Sequence, residues 1–318
     1  MTQVLEGDPL AWSVPGPTAI SIGVFDGVHR GHRSVIERLL RRSRRDGLVA
    51  TVLTFHPHPL AVVDPGRAPA LLTTVEQRIE LLEGLGVQMV GVLPFDRIRD
   101  MEPETFAQGV LSERLDARLV AVGTDFRFGH DRAGDVDTLR RVGQRCGYEV
   151  VAVELLNEND HPISSTRIRR LIAEGKVGEA ADILERPYEI RGRVVAGDGR
   201  GRTIGIPTAN LDIDPVVAVP GDGVYAAWAV VEGTVHPAVV NIGVRPTFDG
   251  DRRVVEAHLI GFDGDLYGRE VRLRFVSRLR GERRFRSVDD LVDQIRADAE
   301  TAREVLSGVV PEIDGDRR

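Results

Sequence analysis

The residues with the clearest capacity for chemistry lie in one stretch, Gly23-Val24-Phe25-Asp26-Gly27-Val28-His29-Arg30-Gly31-His32. Glycines at 23, 27 and 31 let the backbone come close to a phosphate, and a helix starting after them presents N–H groups and the positive end of its dipole. His29 and His32 are three positions apart, so on a first helical turn both imidazoles point the same way. Two imidazoles over a phosphate can donate hydrogen bonds to the charge that builds up during phosphoryl transfer, with no covalent intermediate. The plain alternative is a pair of surface histidines at a helix start.

A second segment is Ile163-Ser164-Ser165-Thr166-Arg167-Ile168-Arg169. Ser164 or Ser165 can cap a helix on which Thr166 and Arg169 share a face. Capping alone accounts for the serines. After the last strand of a nucleotide-binding sheet, the same segment becomes a second clamp on a triphosphate, with Arg169 neutralising charge.

The third is Gly197-Asp198-Gly199-Arg200-Gly201-Arg202-Thr203-Ile204-Gly205-Ile206-Pro207-Thr208-Ala209-Asn210. Backbone N–H groups around Gly199, Gly201 and Gly205 can wrap phosphates, although the loop lacks the Gly-Lys-Ser/Thr ending of a Walker A motif. A glycine-rich turn between strands is the structural alternative. The Thr208 hydroxyl and the Asn210 amide oxygen are hard donors at i and i+2, suited to a magnesium ion bridging ATP phosphates. Glu256 stands on an alternating stretch with Val254, His258 and Ile260 on its face, where an acidic side chain ordinarily faces solvent. His56 and His58 invite a zinc reading. Pro57 and Pro59 suit instead an irregular loop that shapes a pocket, and the sequence places no carboxylate partner beside the histidines.

These segments need elements to hold them. From Thr18 to Glu154, strand-like runs at Ala19–Val24, Leu48–Phe55, Val87–Leu93, Arg118–Val122 and Tyr148–Glu154 alternate with amphipathic helical stretches. That alternation predicts a Rossmann-like α/β domain with a parallel sheet, and it puts Gly23–His32 at the carboxyl edge of the first strand, where such sheets bind ligands. Helices are expected over Ser164–Ala173 and Lys176–Leu184, with a domain boundary at Arg186/Pro187, giving domains 1–186 and 187–318. Beyond it, strand-like runs at Tyr188–Val195, Val224–Val231, Val235–Ile242, Arg253–Ile260 and Glu270–Val276 predict a small antiparallel β-barrel. Val288, Leu291, Ile295 and Ala299 mark a C-terminal helix packed on it.

Composition narrows the partners. A net charge of -7 argues against a nucleic-acid polymer, and the basic run Arg41 to Arg45 reads as a solvated helix end. No apolar run is long enough to span a membrane, and the N-terminus has no secretory pattern. With Cys146 the only cysteine, no intrachain disulfide or cysteine metal cluster can form, which fits the cytoplasm. The oligomeric state is open, a homo-oligomer included.

The chain resembles the HxGH nucleotidyltransferase superfamily and, more narrowly, the prokaryotic bifunctional riboflavin kinase/FMN adenylyltransferases (FAD synthetases). The resemblance runs through Gly23–His32, Phe55-His56-Pro57-His58-Pro59, Gly123-Thr124-Asp125-Phe126-Arg127-Phe128-Gly129, Ile163–Arg169, Pro207–Asn210, Asn241–Thr247, Val255–Leu259 and Asp265–Gly268. It implies ATP at Gly23, Phe25, Asp26, Gly27, His29, His32, Asp125, Ser165, Thr166 and Arg169, with Phe55, Pro57, Pro59 and Phe128 nearer the flavin. Members carry Asn or Asp where Asp125 stands. In the barrel it implies ATP at Gly199, Gly201, Gly205, Thr208 and Asn210, Mg2+ on Thr208 and Asn210, and Glu256 as general base toward the ribityl 5'-hydroxyl of riboflavin. It further implies that Leu279–Phe285 forms part of a flap over flavin. The expected activities are phosphorylation of riboflavin to FMN, then adenylylation of FMN to FAD with release of pyrophosphate. Gly261 departs from relatives that carry an acidic residue there.

Overall fold

The computed structural model describes residues 2–154, 156–158, 161–197, 201, 205–247 and 250–308. They form two compact units, Met1–Ser165 and Thr166–Arg318. The helical pair Ser165–Ala173 and Val177–Leu184 therefore falls almost wholly within the second unit.

The first unit is built on six strands, β1 (Gln3–Leu5), β2 (Thr18–Ile22), β3 (Val49–His56), β4 (Met89–Pro94), β5 (Ala117–Gly123) and β6 (Glu149–Val153). All pairings in this sheet are parallel, in the order β1-β4-β3-β2-β5-β6. Parallel strands covered on both faces have no solvent side, which is why they read as nearly unbroken apolar runs. Alternate residues serve two cores: Ala19, Val52, Val90 and Leu119 face Ile36, Leu39 and Leu82, while Ile20, Leu53, Met89 and Val120 face Phe106, Leu111 and Leu139. The chain leaves β2 toward β3 and β4, then returns to the other side of β2 for β5. The carboxyl ends of β2 and β5 thus flank the point where strand order reverses, the expected position for a ligand. β1 was not anticipated, because three residues are too few to show a period.

A two-stranded ribbon, β7 (Asn157–Glu158) with β8 (His161–Pro162), follows β6. The second unit closes a barrel from β9 (Tyr188–Val195), β10 (Ala209–Ile213), β11 (Gly223–Val231), β12 (Thr234–Thr247), β13 (Gly250–Leu259) and β14 (Glu270–Arg280), in the order β10-β13-β12-β11-β14-β9. Sequence reading found five of these strands. It missed β10, whose first residues are the end of the Pro-Thr-Ala-Asn segment. Tyr225, Val240, Ile242, Val255, Ala257 and Phe275 are buried, and Tyr225 meets Phe275 edge-on at 5.5 Å. On the opposite face of the strands, Val224, Ala226, Val239 and Ile260 receive Ala299, Ala302 and Leu306 of the terminal helix Val288–Leu306.

Glu189 on β9 lies between Arg191 and Arg274, 2.7 Å from each. Burial by itself raises the carboxyl pKa, but the two guanidiniums outweigh it and hold it below the ordinary glutamate value. A depressed folded pKa contributes stability that is complete above the unfolded value and is lost as pH falls through the folded one. Glu189→Gln should therefore flatten the acid limb of a stability–pH profile below the ordinary glutamate range, as chemical denaturation at a series of pH values would record.

Candidate active sites

The turn after β2 is made by unusual backbone. Phe25 and Val28 have φ of 50° and 39°, and Gly27 lies between them at 82°. Positive φ at a β-branched residue is costly and persists only where surrounding contacts impose it. Here they come from Asp26, which is 1% exposed and whose carboxylate accepts from the Leu72 and Thr73 amides at 3.0 Å and from the Thr73 hydroxyl at 3.1 Å. Arg78, equally buried, lies 3.8 Å from the same carboxylate and donates to the Thr54 hydroxyl at 2.8 Å and the Phe55 carbonyl at 3.3 Å. Gly27 donates its N–H to the Thr73 hydroxyl. The resemblance implies that Asp26 belongs to the ATP site; its side chain turns inward and braces the turn. Arg78 and Thr73 were not foreseen, since nothing local marks an arginine on an amphipathic helix as one that will be buried against a distant loop.

His29 caps the helix Arg30–Asp46: its Nδ1 accepts from the His32 N–H at 3.3 Å. An accepting Nδ1 leaves the proton of the neutral ring on Nε2, so Nε2 is the donor. The two imidazoles stack with centroids 3.6 Å apart and planes 18° from parallel, and Phe25 meets His32 edge-on at 5.2 Å. Gly31 leaves room for this stack, because a Cβ there would stand 3.2 Å from the His29 ring, a tight contact. Gly23 leaves room in a similar way, with the Phe25 ring 3.1 Å from the position of its missing Cβ. Gly31→Ala favours the helix by propensity yet displaces the imidazole by a few tenths of an ångström. It should lower any transfer that depends on His29 by about tenfold, given the sensitivity of such steps to misplacement, and leave the barrel's activity unchanged. Parallel assays of the two reactions would show this.

Ser165 donates its hydroxyl to the Asp26 carbonyl at 2.9 Å, which joins the serine segment to the same turn. Thr166 and Arg169 follow on the first turns of the helix Ser165–Ala173, in the second unit. At the end of β3, Phe55 meets Phe95 edge-on at 5.8 Å, Pro57 and Pro59 are half-buried, and His58 caps the short helix Pro59–Val63 through Nδ1. After β5, Asp125 is exposed. Phe128, expected near flavin, is 7% exposed and packed in the core against Phe106 and Phe126. Phe126, stacked on it at 5.5 Å and only partly buried, is the aromatic surface this loop presents.

In the barrel, one rung of cross-strand neighbours carries the polar groups. Asn210 pairs with Glu256, Glu256 with Asn241, Asn241 with Val224 and Val224 with Arg280. Paired residues share a face, and here it is the face opposite Val255 and Ala257. All five line a cavity of about 930 Å³, which Thr208 also borders. His258, two residues after Glu256 on the same face, has Nδ1 2.9 Å from the Pro207 carbonyl. A carbonyl only accepts, so Nδ1 carries the proton and holds Pro207 in place beside Thr208. Arg280 is fixed by Asp298 of the terminal helix through contacts of 2.8–3.1 Å and lies 5.8 Å from the Phe285 ring. Asn241 and His258 were not assigned roles from sequence. Alternation along β12 and β13 shows their faces, but only the register makes Asn241 a neighbour of Glu256.

The glycine-rich loop is described at Gly197, Gly201 and Gly205, and Gly199 lies outside the described residues. A Cβ on Gly197 would overlap the Asn210 amide at 2.1 Å, and one on Gly201 would meet the Ile206 carbonyl at 2.4 Å and the Thr208 hydroxyl oxygen at 3.2 Å. Gly205 turns the chain at φ 75°. These glycines keep backbone close to Thr208 and Asn210, whose neutral oxygens are the donor type a magnesium ion takes alongside water and phosphate.

Comparison with known proteins follows the same division. A family model described as FAD synthetase matches residues 13–167, and one described as riboflavin kinase matches residues 184–306. The bifunctional riboflavin kinase/FMN adenylyltransferase of Escherichia coli (strain K12) is 39% identical over 294 residues, covering 92% of this chain and 94% of that protein. Its namesake in Bacillus subtilis (strain 168) is 35% identical over 298 residues, covering 92% and 93%. A crystal structure described as a macrolide-efflux protein from Streptococcus pneumoniae is similar with a TM-score of 0.87 and 31% identity, over 95% of this chain and 98% of that one. Efflux is said of that protein; among the described residues here no helix is long and apolar enough to cross a membrane. By identity and coverage along both halves, this chain belongs to the family of bifunctional riboflavin kinase/FMN adenylyltransferases.

Proposed function

We propose that the barrel transfers the γ-phosphoryl group of ATP to riboflavin, giving FMN and ADP, and that the α/β unit transfers AMP from a second ATP to FMN, giving FAD and pyrophosphate. The observation that carries the two-step reading is the rung on which Glu256 stands between Asn210 and Asn241 in the 930 Å³ cavity. The histidine turn after β2 by itself identifies only nucleotidyl transfer.

In the first step Glu256 accepts the proton of the ribityl 5'-hydroxyl as that oxygen attacks the γ-phosphorus and ADP leaves. Thr208 and Asn210 would hold Mg2+, which neutralises charge across the ATP phosphates. Gly201 and Gly205 bring backbone to those phosphates, and the resemblance assigns Gly199 to the same ATP site. In the second step a phosphate oxygen of FMN attacks the α-phosphorus and pyrophosphate leaves. His29 and His32 donate to the phosphoryl oxygens, and Gly23, Phe25 and Gly27 shape the turn that receives the nucleotide. Asp26 acts by holding that turn. Asp125, Ser165, Thr166 and Arg169 are assigned to ATP by the resemblance. Phe55, Pro57 and Pro59 border the flavin, with Phe126 as the aromatic face and Phe128 as its support.

The functional boundary is placed at Arg186/Pro187, so that 1–186 serves adenylyl transfer and 187–318 the kinase; the riboflavin kinase match beginning at residue 184 supports it. The substrates are small molecules, the compartment is the cytoplasm, and no nucleic-acid or membrane partner is invoked. Product stoichiometry tests the scheme. Riboflavin with Mg-ATP should yield one ADP and one pyrophosphate for each FAD formed, and a lack of ADP would contradict the kinase step.

A further inference from the structure

Asn241 occupies a position in the kinase rung that its neighbours make specific. Across the sheet it faces Glu256 on β13 and Val224 on β11. Along β12 its same-face neighbours are Val239 and Gly243, and neither side chain offers a polar atom. Directly paired residues on one face have Cβ atoms about 4.5–5.5 Å apart, so a change of rotamer brings an amide within hydrogen-bond reach of a carboxylate. The Asn241 side chain, which lines the same cavity as Glu256, makes no hydrogen bond with the other described residues and is available for that turn. Asn241 and Glu256 are both half-buried, where such a bond is stronger than in water. Glu282 also reaches this part of β12, its carboxylate lying over Gly243, while Asp298 in the same cavity is engaged by Arg280.

The rung is also ordered. Thr208 and Asn210, the proposed magnesium ligands, lie on one side of Glu256, whereas Asn241 lies on the other, toward apolar Val224 and the terminal helix. Asn210 and Asn241 therefore flank the carboxylate without sharing a role.

We propose that Asn241 is a positioning residue for riboflavin phosphorylation: with substrates bound, its side-chain amide turns to donate to the Glu256 carboxylate and aims the second carboxylate oxygen at the 5'-hydroxyl of the ribityl chain. The proposal rests on the reading of Glu256 as general base. In the step it supports, the hydroxyl proton passes to Glu256, the oxygen–phosphorus bond forms, and the bond from the γ-phosphorus to ADP breaks. Asn241 gains and loses no proton.

The test uses the whole chain with Asn241→Leu, Asn241→Asp, Glu256→Gln and the double variant Glu256→Gln/Asn241→Leu. Asn241→Asp keeps the shape of the side chain but removes its donor and sets one carboxylate against another. Both Asn241 variants should lose about 10- to 100-fold in kcat for FMN formation, the scale of a misplaced reacting group, with KM for riboflavin and ATP within about twofold of wild type. FAD formation from added FMN should stay unchanged, and the retained KM values for riboflavin and ATP report that the barrel of each variant is folded. The double variant should be no slower than Glu256→Gln, because two residues acting as a unit are not additive. Wild-type kcat in Asn241→Asp, a loss confined to KM, or a further loss in the double variant would each overturn the proposal. Full activity in Glu256→Gln would instead remove the base reading on which it rests.

Discussion

Glu256→Gln should reduce riboflavin phosphorylation by roughly 10²- to 10⁴-fold, the range over which a positioned general base contributes, while FMN-to-FAD conversion continues at the wild-type rate. Gln keeps the size of the side chain and can still hydrogen-bond, so the rung and the cavity survive. It cannot accept the 5'-hydroxyl proton. The loss should fall on kcat, because riboflavin and ATP still bind through the cavity walls, the loop and the terminal helix. Unchanged KM with a collapsed kcat is the signature of an interaction made in the transition state. Equal loss of both activities would contradict the division of labour between the units.

His29→Asn should do the reverse. Asparagine is among the preferred N-cap residues, and its side-chain oxygen can accept the amide that His29 Nδ1 accepts, so the helix Arg30–Asp46 keeps its start. What is lost is the Nε2 donor and the stack with His32. Removing one donor to a developing phosphoryl charge should lower FAD formation from FMN by roughly 10²- to 10³-fold, with riboflavin phosphorylation intact. His29→Ala would lose the cap as well, at a cost of about 1 kcal/mol, and so would mix stability with catalysis. A full-rate His29→Asn would remove the imidazole from the mechanism.

What the sequence made legible follows from how far apart the determining residues lie. The turn after β2 is contiguous, and its glycines and histidines are spaced by the requirements of one loop and one helix start. Gly31 illustrates this directly, since the atom it must avoid belongs to His29. Alternation along one strand showed which face Glu256 shares with Val254 and His258, but only the resemblance singled it out from an ordinary solvent-facing carboxylate. The inward orientation of Asp26 was not legible, because it depends on Leu72, Thr73 and Arg78, which reach it only through the fold. That Phe128 is buried while Phe126 stays partly exposed was not legible either, because which of two alternate aromatics is buried depends on the path of the loop over Phe106, not on residue type. Asn241 lies within one of the segments that carry the resemblance, yet its position beside Glu256 is a matter of register between two strands. The missed strand β10 shows that a segment read as a ligand loop can also be sheet: Asn210 pairs with Glu256 while its side chain lies against Gly197.

The central claim is that one chain carries two separate transferases acting in sequence. A chromatographic time course of flavin products, started from riboflavin with Mg-ATP and separately from FMN with Mg-ATP, tests it most directly. The account predicts FMN appearing before FAD in the first reaction and FAD without a lag in the second. FAD from FMN with no FMN from riboflavin, or no flavin product in either reaction, would contradict it.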